Sequence, residues 1–157
     1  MPIFSAMTTP GGFKAGEVAS AMQKAIRRCE EEEAVFWATE LYIGGWSQYA
    51  WKRMVIIASE DVGLADTQTV ILVHTLHDAW LYHMKRHPDE LRPAANIFVH
   101  AVLALARADK SRMVNHLHML MWWDRHEERF SIPDHALDRH TQRGRAMKRG
   151  IDHFSMH

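Results

Sequence analysis

Histidines are the residues of this sequence whose number and spacing most invite a chemical role. The chain has 157 residues, of which twelve are histidines. Three close pairs occur: His74 and His77, His83 and His87, and His116 and His118. Spacings of three and four place both imidazoles on one helical face, where a transition metal could bind them. No pair has the glutamate of an HExxH motif or a nearby acidic cluster. We expect surface or half-buried histidines, with a small histidine-based metal protein as an alternative.

Two further patterns could be taken for parts of a nucleotide site. Gly11 and Gly16 have the spacing of a phosphate loop, but Glu17 and Val18 stand where Lys and Ser or Thr are needed. A carboxylate at that position would repel phosphate. The apolar run before Glu60-Asp61 imitates the strand and acidic pair that hold magnesium, yet its context is helical. We therefore expect no nucleotide and no other cofactor.

Candidate nucleophiles and acid–base pairs are equally weak. Cys29 is predicted on the apolar face of a helix, where burial makes a thiol unreactive. Glu60 and Asp61 are adjacent, so on a helix they diverge by about 100° and would end the helix and cap the next turn. His100 lies among apolar neighbours and is expected in the core or an interface. These residues predict no catalytic site, and we expect a protein that is not an enzyme.

The most basic segment lies near the end of the sequence. Its cationic residues are Arg139, Arg143, Arg145, Lys148 and Arg149. Such a segment can contact phosphates without reading bases. Because no aromatic residue is interleaved before Phe154, stacking on single-stranded bases is weakly supported. A solvated basic face and a non-specific DNA contact both remain open.

Composition limits the class of protein. Apolar residues make up 47% and charged residues 24%, and nineteen basic side chains balance nineteen acidic ones. These values are ordinary for a globular protein and give no overall attraction to nucleic acid or to an acidic membrane. Cys29 has no second cysteine to pair with, which favours a reducing compartment. No signal peptide opens the sequence, and residues 54–58, its longest purely apolar stretch, are too few to cross a bilayer. We expect a soluble cytoplasmic protein without a membrane partner.

The elements that would position these residues are all predicted to be helical. Apolar residues recur at spacings of three and four, and no stretch alternates cleanly over six or more residues. The predicted helices run from Glu17 to Cys29, from Glu30 to Gly44, from Ser47 to near Asp61, from Asp66 or Thr67 to His87, over 94–108, from Lys110 to Met121, and from Pro133 through His140. The fifth helix is so apolar that it is expected to be buried nearly all round. The fold class is all-α, a single bundle of about seven helices.

Large apolar side chains are more numerous than one small bundle usually hides. The sequence has six tryptophans and ten methionines. Trp122 and Trp123 are adjacent, so on one helix they cannot both face the same core. Exposed aromatic residues of this kind mark interfaces. We therefore expect a homo-oligomer, with Trp37, Trp80, Trp122 and Trp123 as candidate interface residues.

Five segments of the sequence follow a known pattern in the same order, namely residues 17–27, 33–41, 51–66, 101–111 and 132–135. The most specific is Trp51-Lys52-Arg53 followed by Ala58-Ser59-Glu60-Asp61-Val62-Gly63-Leu64-Ala65-Asp66. In these segments the sequence resembles the C-terminal domain of the RarA/MgsA family of AAA+ ATPases. Arg112 departs from the family pattern, which has Asn after Lys110-Ser111. The basic tail has no clear counterpart in the resemblance.

The resemblance implies a helical domain related to the collar of clamp loaders, which assembles the ATPase into a tetramer. It also implies a link to DNA replication, recombination and repair, with proteins of those processes as partners. Because the sequence opens with its own methionine, we expect the domain to stand alone without the ATPase. The expected organisation is an N-terminal arm at 1–16, a helical oligomerisation domain at 17–141 and a basic C-terminal tail at 142–157. A DNA-binding accessory protein that uses the tail is the alternative function.

Overall fold

The computed structural model of the chain describes residues 4–123 and 130–156, which divide into two compact units. The first unit is Met1–Met119 and the second is Leu120–His157. The first holds α1 (Ala15–Arg27), α2 (Glu31–Leu41), α3 (Ser47–Ile57), α4 (Thr67–Arg86), α5 (Leu91–Arg107) and the start of α6 (Met113–Trp123). The second continues with α7 (Gln142–Ala146) and α8 (Ile151–Ser155). Apart from an isolated bridge between Thr8 and Lys14, these ranges contain no β-structure. The all-α prediction is confirmed.

The core of the first unit follows from the helical periodicity of its apolar residues. Val18, Met22 and Ile26 recur every four residues on α1, and all three are buried. At the centre the ring of Trp51 on α3 lies 5.9 Å from that of Trp80 on α4 and 5.5 Å from that of Phe98 on α5, measured between ring centroids. Aromatic packing of this kind joins the three helices, because each ring removes a large apolar area from water.

Two π turns, Tyr42–Trp46 and Ala58–Val62, end α2 and α3. Gly45 lies within the first at φ 84°, and Gly63 follows the second at φ 52°. The Gly63 amide donates to the carbonyl of Ala58 at 2.8 Å. Glycine suits both positions because side chains with a Cβ are strained at such positive φ. The predicted helix ends near Gly44 and before Gly63 are confirmed.

The start of α4 shows how a short side chain fixes a helix boundary. Asp66 accepts hydrogen bonds from the Thr69 amide at 2.9 Å and from the Thr69 hydroxyl at 2.7 Å. The side-chain hydrogen bond from Thr69 lowers the pKa of Asp66, and the backbone one adds to the effect. The predicted N-cap is therefore confirmed at Asp66.

Two of the predicted helices differ in the structure. The segment predicted as helix from Pro133 through His140 forms only a 3-10 turn, Asp134–Ala136, because Asp138 binds the His140 and Thr141 amides in a turn of its own. Helix α5 was expected to be buried nearly all round, but Asn96 and His100 on it are exposed. The core placement of His100 was therefore wrong.

The ends of the chain also differ from the expected organisation. Residues 4–14 of the expected arm form a 3-10 turn, Phe4–Ala6, and the Thr8–Lys14 bridge before α1. The expected tail at 142–157 contains α7 and α8, and the division between units falls at Met119, inside α6. No helix among the described residues combines the length and apolar character needed to cross a membrane.

Candidate docking surface

Asp61 is the centre of a polar network in the first unit. Its side chain is fully buried and accepts hydrogen bonds from Arg27 Nε at 2.7 Å and Gln23 Nε2 at 3.1 Å. Its carbonyl accepts from the Ser111 amide at 2.9 Å, and Arg112 Nε lies 3.6 Å from Oδ1. The network therefore ties α1 to the second π turn and to the two residues that precede α6.

Gln23 extends this network to both neighbouring carboxylates. Its Nε2 donates to Glu60 Oε2 at 3.0 Å as well as to Asp61, and its Oε1 accepts from Arg53 Nη2. The expectation that Glu60 and Asp61 lie at a helix end is confirmed by the π turn that closes α3, and in that turn one amide reaches both carboxylates. A carboxylate held by Arg27 and Gln23 is engaged in packing helices together. This interaction could not be read from spacing alone.

Helix α6 carries many exposed apolar side chains. None of the eleven side chains in Met113–Trp123 is buried. Its exposed apolar residues are Met113, Val114, Leu117, Met119, Leu120, Met121, Trp122 and Trp123. Trp122 and Trp123 are 69% and 70% exposed. A helix with this many exposed apolar side chains is typical of a surface that another protein covers.

A groove in the first unit adjoins the start of α6. Its volume is about 300 Å³, and its lining includes Leu64, Val70, Ile71 and Val114 beside the backbone of Gly63. Leu64 is 64% exposed and Ile71 is 59% exposed. We call this groove the α4–α6 groove. Gly63, which lines it, follows Asp61 by two residues. Together with Met113 and Leu117 it forms the candidate docking surface of the first unit.

The four candidate interface tryptophans lie in different environments. Trp122 and Trp123 are exposed on α6. Trp37 is half-buried, with its ring centroid 5.2 Å from that of Phe13. Trp80 is 2% exposed and packs on Trp51, so its surface is already used within the first unit. Trp80 is therefore left out of the docking surface.

The basic residues of the second unit also separate into two groups. Arg139, Arg143, Arg145 and Lys148 are exposed. The side chain of Arg149 is 15% exposed, forms an ion pair with Asp134 and donates to the Leu137 carbonyl at 2.9 Å. Arg149 therefore holds the second unit together, and the first four form its outward basic surface.

The histidines take part in local packing. The His77 ring lies against Trp51, 5.0 Å between centroids and 26° between planes. Burial lowers the pKa of His77, with a smaller opposing effect from Asp78. His83 and His87 lie 5.4 Å apart between ring centroids. Within 4–123 and 130–156, no group of three or more His, Cys, Asp or Glu residues could hold a metal ion.

Two candidates from the sequence remain, the nucleophile Cys29 and the phosphate-loop pattern that begins at Gly11. Contacts in the loops explain both. Cys29 is exposed at φ 62° because α1 ends at Arg27, so its predicted burial was wrong. Its sulfur lies 3.6 Å from Lys110 Nζ. The Gly11 amide donates to Oε2 of the buried Glu40 at 3.0 Å. An amide that a phosphate loop would use for its ligand is therefore bound by a carboxylate of the protein itself.

Comparison with known proteins shows a family and a relative that this chain resembles. The family model described as "MgsA AAA+ ATPase C terminal" matches residues 28–157. The ATPase WRNIP1 of Dictyostelium discoideum is 29% identical over 120 residues, which cover 74% of this chain and 13% of that relative. The chain thus spans a small part of the relative's length. The family match includes the basic segment, so the expectation that this segment has no family counterpart was wrong.

Proposed function

Since the chain belongs to the family of MgsA AAA+ ATPase C-terminal domains, we propose that it is a non-catalytic assembly module. It associates with further copies of itself through residues 113–119 of α6 and the α4–α6 groove, both of which lie in the first unit. The proposal extends, by family resemblance, to a tetramer and to proteins of DNA replication or recombination. No residue is assigned a catalytic role.

The observation that carries the proposal is that α6 has no buried side chain while most of its residues are apolar. A helix with this many Met, Leu and Trp side chains is stabilised mainly by burying an apolar face. Burying one such side chain contributes about 1.5–3 kcal/mol. Helix α6 contributes no buried residue to the described units. A second copy that covers α6 would supply the missing burial.

The choice of a second copy follows from the position of the groove beside the helix. In a two-fold interface both copies use the same surface patch. A helix that protrudes from one copy must therefore bind a groove that lies in that same patch of the other copy. Leu117 on α6 and Ile71 in the α4–α6 groove are both exposed, 53% and 59%. An α6 helix of one copy that fits the groove of another satisfies this requirement.

The decisive experiment measures mass in solution for a matched pair of isoleucine variants. Ile71 and Ile43 are both 59% exposed, but only Ile71 lines the α4–α6 groove. We expect wild type to have a mass that is a multiple of 18.2 kDa at micromolar concentration. Ile71→Asp lowers that mass, because it places a charge in an apolar interface. Ile43→Asp leaves it unchanged.

Light scattering after size exclusion gives these masses, and circular dichroism confirms that both variants keep their helices. A wild-type protein that is monomeric throughout the micromolar range would overturn the assembly function. Location at stalled replication forks, compared between wild type and Ile71→Asp, tests the link to DNA metabolism.

A second candidate function is contact with DNA phosphates by the second unit. The exposure of Arg139, Arg143, Arg145 and Lys148 favours it. It is compatible with assembly, since several copies would place several basic surfaces on one duplex.

A further inference from the structure

The first unit has a second groove, formed where the first π turn meets α4 and α5. Its volume is about 500 Å³. The residues that define it are Tyr42, Ile43, Gly45, Leu91, Arg92 and Phe98. We call it the π-turn groove. We propose that it binds a short segment of a partner protein that presents bulky apolar side chains next to a carboxylate.

The groove combines an aromatic floor with exposed aliphatic edges. Phe98 is 1% exposed, and the Tyr42 ring lies 4.8 Å from it between centroids. Ile43 is 59% exposed and Leu91 is 56% exposed. A volume of this size lies within the range of ligand sites and accommodates more than one bulky side chain. Apolar anchors of a peptide would cover the two edges and reach the rings.

Contacts and backbone conformation within the first unit hold the walls of the groove. Trp80 Nε1 donates to Tyr42 Oη at 3.5 Å, which holds the tyrosine from the core side. Gly45 lies at φ 84°, a backbone conformation that favours glycine, in the π turn that forms one wall. Single π turns are frequent at functional sites in helical proteins. Because few residues of the groove would have to become ordered when a peptide binds, even a short segment could bind there.

Arg92 defines the chemistry of the occupant. Among the described residues that line the groove, it is the charged one, and it is exposed. A guanidinium binds a carboxylate through two parallel hydrogen bonds. The carboxylate of Glu90, two residues before Arg92 in the sequence, lies instead against His87, with 3.3 Å between Glu90 Oε1 and His87 Nδ1. One cation in an apolar groove fits an acidic peptide better than a nucleic acid, which needs a row of cations.

The inference goes beyond the proposed assembly, since the two grooves share no lining residue. Each isoleucine variant therefore serves as the control for the other surface. Ile71→Asp tests self-association, and Ile43→Asp tests the π-turn groove.

Selection from a phage-displayed library of random twelve-residue peptides supplies the probe. We expect enriched peptides to combine aliphatic or aromatic residues with Asp or Glu. Fluorescence anisotropy of one labelled peptide then measures binding to each variant. Arg92→Glu should weaken binding by about tenfold or more, because it removes a charge-assisted contact. Ile43→Asp should weaken binding by about the same factor, because it places a charge against the apolar side chains of the peptide. Ile71→Asp should leave it unchanged.

A charge swap makes the test specific. A peptide whose acidic residue is replaced by Lys should bind Arg92→Glu more tightly than it binds wild type. Leu91→Asp provides a second groove variant, and thermal unfolding shows that each variant is folded. The proposal is overturned if selection yields no acidic apolar peptides, or if binding is indifferent to the groove variants. It is also overturned if Ile43→Asp lowers the mass of the oligomer, since the groove would then be a contact between copies.

Discussion

Arg27 Nε donates a hydrogen bond to Asp61 Oδ1 at 2.7 Å across a separation of 34 residues. The arginine side chain is 33% exposed, whereas that of Asp61 is fully buried. Through the Asp61 carbonyl, the same residue binds the Ser111 amide at the approach to α6. The contact therefore couples the packing of α1 to the presentation of the proposed docking helix.

The first prediction concerns the stability that this pair contributes. Arg27→Met removes the main partner of a buried carboxylate, and breaking a buried pair in this way costs about 3–5 kcal/mol. The partial exposure of Arg27 places our expectation at the lower end, about 3 kcal/mol. Urea denaturation followed by circular dichroism gives the free energy of unfolding.

The neighbouring arginine provides a matched control. Arg28 Nε lies 2.7 Å from Glu30 Oε1, the same distance, but these side chains are 72% and 36% exposed. An exposed pair contributes about 0–1 kcal/mol, so Arg28→Met should lower the unfolding free energy by no more than that. Equal losses in the two variants would contradict a special role for the Asp61 network.

The second prediction concerns the dependence of stability on pH. Burial against Trp51 lowers the pKa of His77 from its ordinary value of 6.5. As pH falls, His77 of the unfolded chain therefore binds a proton at a higher pH than His77 of the folded chain. The stability contributed by neutral His77 is complete above pH 6.5 and is lost as pH falls through the lower folded pKa. Wild-type unfolding free energy should decline over this window.

His77→Phe isolates this effect, because it keeps an aromatic ring against Trp51 and removes the titrating group. The other histidines remain in both proteins, so their contribution cancels in the difference between the two pH curves. We expect wild type to lose more unfolding free energy than His77→Phe between about pH 7 and about pH 5. Parallel curves would argue against the burial of this imidazole.

The third prediction concerns the close approach of backbone in the second unit. A Cβ on Gly144 would lie 1.7 Å from the Asp138 carbonyl oxygen, whereas one on Gly150 would meet nothing within 4 Å. Gly144→Ala should therefore disrupt α7, and Gly150→Ala should not. Hydrogen exchange read by mass spectrometry should show lost protection of the amides at 142–146 only in the first variant. Unchanged protection in Gly144→Ala would show that the backbone adjusts.

The fourth prediction tests the basic surface of the second unit. Serine replaces Arg139, Arg143 and Lys148 together, and a control protein carries serine at the exposed Lys24, Lys52 and Lys85. Both variants have the same net charge. DNA binding is measured at several salt concentrations. If the basic surface contacts phosphates, the slope of the logarithm of the DNA-binding constant against the logarithm of salt concentration should fall in magnitude by roughly one for each contact removed in the triple-serine variant. An equal fall in the control would assign DNA affinity to net charge alone.

Local features of the sequence were enough to predict most helices. The N-cap at Asp66 and the helix end before Gly63 follow from short-range chemistry, a side-chain acceptor and a residue free to adopt positive φ. The segment 133–140 was predicted wrongly, because Asp138 competes for the backbone amides that a helix would use. Cys29 was placed wrongly because its helix ends two residues earlier, at Arg27.

The sequence by itself determined the all-α class and the surplus of large apolar side chains, because periodicity, capping residues and composition are local or additive properties. The family was indicated separately, by the resemblance of five segments to its pattern. Only the tertiary structure decided which apolar helix remains uncovered, that Trp80 is used in the core, and that Asp61 meets Gln23, Arg27 and Ser111. The physical reason is that burial and ion pairing depend on residues distant in the chain. Their partners are chosen by how the helices pack, and spacing along the sequence does not contain that information.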